Sequence, residues 1–106
     1  MTQGPYKIVY EPEITAHFAV IERKWHSLIL RTILGQLSHQ PDVKTRNRKP
    51  LEQPSAFEGA WELRFGPDNR FRVFYRPDPV GRAVRVLAVG WKEGDRLFVG
   101  REEFLL

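Results

Sequence analysis

The spacing of apolar residues changes once along this chain, and that change limits the folds open to it. Ile14, Phe18, Ile21 and Trp25 recur at intervals of four, three and four, the repeat of one helical face. Leu28, Ile29, Ile33, Leu34 and Leu37 follow at comparable spacing, so both segments are expected to pack inward. From Trp61 the period becomes two, with Leu63 and Phe65 alternating with Glu62 and Arg64, as a half-buried strand requires. Helix first and strands afterwards define an α+β chain, whose helices bury their apolar stripe on one face of an antiparallel sheet.

Turn-forming residues divide these segments further. Tyr6 to Tyr10 is aromatic and β-branched and reads as a first strand, and Glu11-Pro12-Glu13 then suits a helix start. Two helices are favoured over one long bent helix, and Gln40-Pro41 stops the second. A polar loop runs to about Gly59. Gly66-Pro67-Asp68-Asn69 and Pro77 to Gly81 supply turns on either side of a strand from Arg70 to Arg76. Ala83 to Val89 is the most apolar strand, and Leu97 to Val99 is a short edge strand. The expected architecture is an N-terminal strand and a two-helix hairpin packed on one face of an antiparallel meander of three or four strands, with the other face partly open. With 106 residues there is length for one core, so residues 1–106 are expected to form one domain.

The absence of cysteine removes disulfides, thiolate nucleophiles and Cys-ligated zinc. His17, His26 and His39 are too scattered for a metal-ligand motif, so no metal and no cofactor is expected. Apolar runs such as Leu28-Ile29-Leu30 are short, and Met1-Thr2-Gln3-Gly4 resembles neither a leader nor an anchor. The expectation is a cytoplasmic protein without a membrane partner. The net charge of +4 is regional: residues 1–43 balance, whereas residues 44–101 carry thirteen basic and seven acidic groups. A field of this kind attracts polyanions.

Parity places the charges. On the strand after Asn69, Phe71, Val73 and Tyr75 share a core face, while Arg70, Arg72, Phe74 and Arg76 take the other. Arg64 joins them across the ladder, and Arg85 is a further candidate. Guanidinium groups around Phe74 would make a basic platform suited to phosphate contact and base stacking. The same residues also fit ordinary surface ion pairs, such as Arg76 with Asp78, with Phe74 packed under a loop. Lys44, Arg46, Arg48 and Lys49 lie in one acid-free loop, either along a nucleic-acid backbone or serving solubility alone. Trp91, Lys92 and Arg96 would border a cleft beyond the most apolar strand. Glu62, Glu93 and Tyr75 are the proton-transfer candidates, although Tyr75 has core parity.

Taken together, Thr45-Arg46-Asn47-Arg48-Lys49-Pro50-Leu51, Trp61-Glu62-Leu63-Arg64-Phe65-Gly66, Phe71-Arg72-Val73-Phe74-Tyr75 and Val86-Leu87-Ala88-Val89-Gly90 with Lys92 resemble the RelE/ParE superfamily of type II toxin-antitoxin toxins. They resemble in particular its small RelE-like branch of cytotoxic translational repressors, or plasmid stabilisation proteins. The resemblance implies a RelE-like fold and a ribosome-dependent mRNA endoribonuclease that inhibits translation. Its implied partners are a cognate antitoxin, the ribosome and mRNA, with DNA contacted only through the antitoxin complex. By the same resemblance Arg64, Arg72 and Lys92 are catalytic, and Glu62, standing where a basic residue is usual, substitutes for a missing base. Arg46, Arg48, Lys49, Arg70, Phe74, Arg76 and Arg96 are the expected RNA contacts. The aromatic hydroxyl of the nuclease branch falls near Phe98, which has no proton to transfer. A gyrase-directed inhibitor and a non-catalytic protein-binding domain are the alternatives.

Overall fold

The computed structural model describes residues 4–52 and 55–105; the first three residues, read above as lacking a leader, lie outside them. Strand β1 (Lys7–Tyr10) leads into helix α1 (Ile14–Ala19), a single 3₁₀ turn (Arg23–Trp25) and helix α2 (His26–Leu37). The strands β2 (Arg48–Pro50), β3 (Trp61–Phe65), β4 (Phe71–Asp78), β5 (Ala83–Glu93), β6 (Arg96–Val99) and β7 (Glu102–Leu105) follow. They pair antiparallel in the order β2-β3-β4-β5-β6-β7, while β1 pairs parallel with β5. The meander therefore has more strands than expected. β2 falls in the basic stretch read as a loop, and β7 lies beyond the strand taken as the edge.

Strand β5 organises the sheet because one of its edges serves two partners. Ala83 to Val86 pair with β1, and Gly90 to Glu93 pair with β6. Between them the Val89 amide donates to His17 Nδ1 of α1 at 3.2 Å, and Val86 accepts from the Glu11 amide at 3.0 Å. The first helix thus closes a gap in the ladder that would otherwise leave a backbone donor unpaired. Its pattern Ile14, Phe18, Ile21, Trp25 does not run as one helix: α1 ends at Ala19, and the chain turns through the 3₁₀ segment before α2. In α2 the buried positions are Ile29, Ile33 and Leu37. Leu34, expected inward, is 59% exposed, one residue off the buried ridge.

The helices cover one sheet face with a core that includes Ile29, Ile33, Leu63, Phe71, Val73, Tyr75, Val86 and Val89. Val86 and Val89 share it because the register shifts between Phe74 and Tyr75, a bulge that re-aims β5 by one residue. Tyr75 is fully buried, and its hydroxyl donates to the Pro41 carbonyl at 2.8 Å. Burial pushes its phenol far above the ordinary range, so it is a core hydrogen bond and not a proton carrier. At the β3–β4 hairpin, Asp68 and Asn69 both have positive φ and the Arg70 amide donates to the Pro67 carbonyl at 3.0 Å, the geometry of the tight primed turns that match strand twist.

The second face is less open than expected. Phe74, Ala88, Leu97 and Val99 form a separate buried cluster, against which Leu51, Phe57 and Phe104 pack. The loop after β2 folds over part of the sheet and divides its polar surface. No helix among the described residues is long and apolar enough to cross a membrane.

Candidate functional site

Register brings the basic residues of the second face together in rows. Arg64 on β3 stands directly opposite Arg72 on β4, and Arg72 opposite Gly90 on β5. In the next row Lys49 on β2 faces Glu62, and Glu62 faces Phe74. Two like charges in register repel, and Glu62 answers both. Its Oε1 accepts from Arg72 Nη1 at 3.2 Å and lies 3.5 Å from Arg64 Nε.

Arg72 is held from two sides. Its Nε donates to the Asn69 carbonyl at 3.1 Å, so the turn residue fixes the guanidinium plane while Glu62 fixes one end. Only 8% of Arg72 is exposed, and the same is true of Glu62. Burial draws the Arg72 pKa downward, and Glu62 opposes that shift; a guanidinium nevertheless keeps its charge at any ordinary pH. Glycine at position 90 suits this row, because a Cβ there would run into the Phe98 carbonyl of β6.

Beside Arg72 opens a cavity of about 370 Å³ lined by Pro67, Asp68, Arg70, Arg72, Lys92 and Gly94. The Lys92 amide donates to the Arg70 carbonyl at 2.7 Å, so the ends of β4 and β5 bring their cationic side chains to one rim. Three cations and one carboxylate around a cavity of this size suit a phosphate-bearing ligand, with the guanidinium offering a planar fork and the ammonium a point charge. Asn69 was not singled out by sequence, where Asp68-Asn69 carries only a turn signal. Its part is played by a backbone carbonyl, which has no residue-type signature.

The remaining expected contacts separate from this group. Arg48 is buried, donating from Nη1 to the Gln36 carbonyl at 2.6 Å and from Nε to Thr45 Oγ1 at 3.4 Å; it ties β2 to the end of α2 and presents no surface to RNA. Phe74 is 3% exposed, with the Phe57 ring stacked on it at 5.0 Å, so the expected base-stacking platform is already occupied. Arg76 shares that side but lies beyond the Phe57–Phe74 stack, donating to the Glu58 carbonyl at 2.7 Å. Arg85 pairs with Glu11 at 2.8 Å. Arg96 takes the parity opposite to Lys92, donates from Nε and Nη2 to the two carboxylate oxygens of Glu103 at 2.6 and 2.8 Å, and lies over Phe98. Phe98 itself stacks on Trp91 at 5.3 Å. Arg46 and Lys49 are exposed. No cluster of three or more His, Asp or Glu suited to a metal occurs among the described residues.

The architecture has a counterpart among solved structures. It is the fold of a chain in a toxin-antitoxin complex. One match is a chain of the RelBE2 toxin-antitoxin complex of Mycobacterium tuberculosis, with a TM-score of 0.70 and 23% sequence identity, covering 86% of this chain and 95% of that one. No family model and no curated protein matches the sequence. At this identity the likeness speaks for the fold: an N-terminal strand, a two-helix element and an antiparallel meander.

Proposed function

We propose that this chain is the toxin of a type II toxin-antitoxin system, a ribosome-dependent mRNA endoribonuclease neutralised by a cognate antitoxin. The observation that carries the reading is the cavity where Arg70, Arg72 and Lys92 converge, with Arg64 joined to Arg72 through Glu62. The fold shared with a chain of a toxin-antitoxin complex supports it. In this reading Arg72 and Lys92 hold the non-bridging oxygens of the scissile phosphodiester and stabilise the charge that builds up there in the transition state. Exposed Arg46 and Lys49 extend the contact along the message or the ribosome, and Arg64 adds to the field. Glu62 serves in this scheme to hold Arg72 and Arg64, its Oε1 engaging both guanidinium groups.

A gyrase-directed inhibitor is the second reading, favoured by one observation. Phe98 stands where a hydroxyl is expected and is stacked against Trp91 on the far side of the sheet. Controlled expression in a bacterial host separates the two. Mapping mRNA 5′ ends should reveal cuts within translated codons that disappear in Arg72→Ala. Intact message together with accumulating cleaved gyrase–DNA complexes would replace the nuclease reading with the second one, and inert expression would leave a binding domain.

A further inference from the structure

We propose that Glu62 is an internal stand-in for a bound phosphate, holding Arg72 in place while the site is empty and competing with nucleic acid for it. The inference rests on the nucleic-acid function proposed above and names how that site is regulated by its own sequence.

The geometry around Arg72 motivates it. Arg64 and Arg72 are directly opposed across β3 and β4, an arrangement that needs an anion near it. A single carboxylate oxygen supplies that anion, 3.2 Å from Arg72 Nη1 and 3.5 Å from Arg64 Nε. A phosphate oxygen bridging two guanidinium groups would make contacts of the same kind. Arg72 Nε is committed to the Asn69 carbonyl, so the guanidinium cannot turn wholly away from Glu62 to meet a ligand without giving up that bond too. Arg72 also lines the cavity shared with Arg70 and Lys92, so an anion seated there draws on the charge that Glu62 already neutralises. Glu62 is therefore a positioning residue with a cost: it keeps a buried cation ordered and lowers the affinity of the finished site for phosphate.

The test is anisotropy with a fluorescein-labelled single-stranded RNA octamer on the full chain, across a salt series. Glu62→Gln keeps the shape and removes the competing charge. It should tighten binding by about tenfold, equivalent to about 1.4 kcal/mol, and steepen the salt dependence by about 0.7 in the log–log slope, one more phosphate neutralised on a single strand. Glu62→Asp keeps the charge and withdraws it from Arg72 by one methylene. It should tighten binding by roughly threefold, a smaller share of the same competition. In an Arg72→Gln background, Glu62→Gln should give no gain.

Unchanged or weaker binding by a natively folded Glu62→Gln overturns the proposal. So does an unaltered Glu62→Asp beside a tightened Glu62→Gln, which would reduce the effect to net charge, and so does a tenfold gain that persists without Arg72. If Glu62→Gln does not fold, Glu62→Asp and its cycle with Arg72→Gln decide alone. Failure of the functional reading shows differently, as RNA affinity indifferent to both Arg72→Gln and Lys92→Gln. In that case inorganic phosphate titrated against the Arg72 Nε–H resonance still reads the competition. A perturbation that grows in Glu62→Asp supports it, and one equal in both proteins overturns it.

Discussion

Arg48→Met should cost stability and leave RNA affinity alone, the reverse of what a basic loop implies. Arg48 is 7% exposed and sends Nη1 to the Gln36 carbonyl at 2.6 Å. That carbonyl belongs to the last turn of α2, where no helical amide remains to pair with it. A hydrogen bond with one charged partner contributes about 1.5–3 kcal/mol, and a cation at a helix C-terminus adds about 0.3–1 kcal/mol. Methionine keeps most of the aliphatic stem, so a cavity term is largely avoided. The expected loss is about 2–4 kcal/mol, a large part of the roughly 5–15 kcal/mol that holds a small domain together. Urea unfolding with an m-value of about 2 kcal/mol/M should show a midpoint lower by roughly 1–2 M at unchanged slope. Lys49→Ala, one residue along on the exposed side of β2, should leave the midpoint in place and weaken RNA binding, flattening the salt slope by about 0.7. If Arg48→Met unfolds within about 0.5 kcal/mol of the parent, or loses RNA affinity as Lys49→Ala does, the assignment of Arg48 to the scaffold is wrong.

Other perturbations probe separate parts of the structure. His17 accepts a backbone hydrogen bond at Nδ1, and burial lowers its pKa below 6.5 against the opposing pull of Glu13 and Glu102. The unfolded chain therefore takes up its proton first, so the His17 contribution is complete above pH 6.5 and is lost as pH falls toward the lowered folded value. His17→Asn, with an amide oxygen to replace Nδ1, should flatten that slope in urea melts at pH 5 to 7, and an unchanged slope would contradict the reading. Gly66 has φ 84° and faces the Phe71 ring, so Gly66→Ala should lower stability by about 1–3 kcal/mol through strain at positive φ. A calorimetric Tm equal to that of the parent would refute this. Tyr75→Phe removes the donor to the buried Pro41 carbonyl and should cost about 1–3 kcal/mol in chemical denaturation, while leaving RNA binding unchanged.

Local pattern carried a good part of this fold into view. The alternation of Trp61, Leu63 and Phe65 against Glu62 and Arg64 marks β3, and the parity of Phe71, Val73 and Tyr75 places Arg72 away from the helices. Both follow from the two-residue repeat of a strand beside one apolar core. Arg72 and Lys92 meet at a cavity because both sit at polar parity on neighbouring strands. Arg48 misleads because a three-residue strand inside a cationic run has no apolar alternation to reveal it. Phe74 misleads because its cover, Phe57, comes from a loop without periodicity. Arg96 misleads because the hairpin register between β5 and β6 puts it opposite Glu93 and not on the face of Lys92.

The change in apolar spacing along the chain, by itself, determined the α+β class, the order of helices before strands and the face on which Arg64 and Arg72 lie, since each follows from the repeat of one element against one core. Tertiary structure alone decided which of the cations are free. Whether a guanidinium meets a ligand, a helix end or a carboxylate depends on register, on the bulge between Phe74 and Tyr75 and on loops folded from far along the chain. A local period of two or of 3.6 contains none of that long-range geometry.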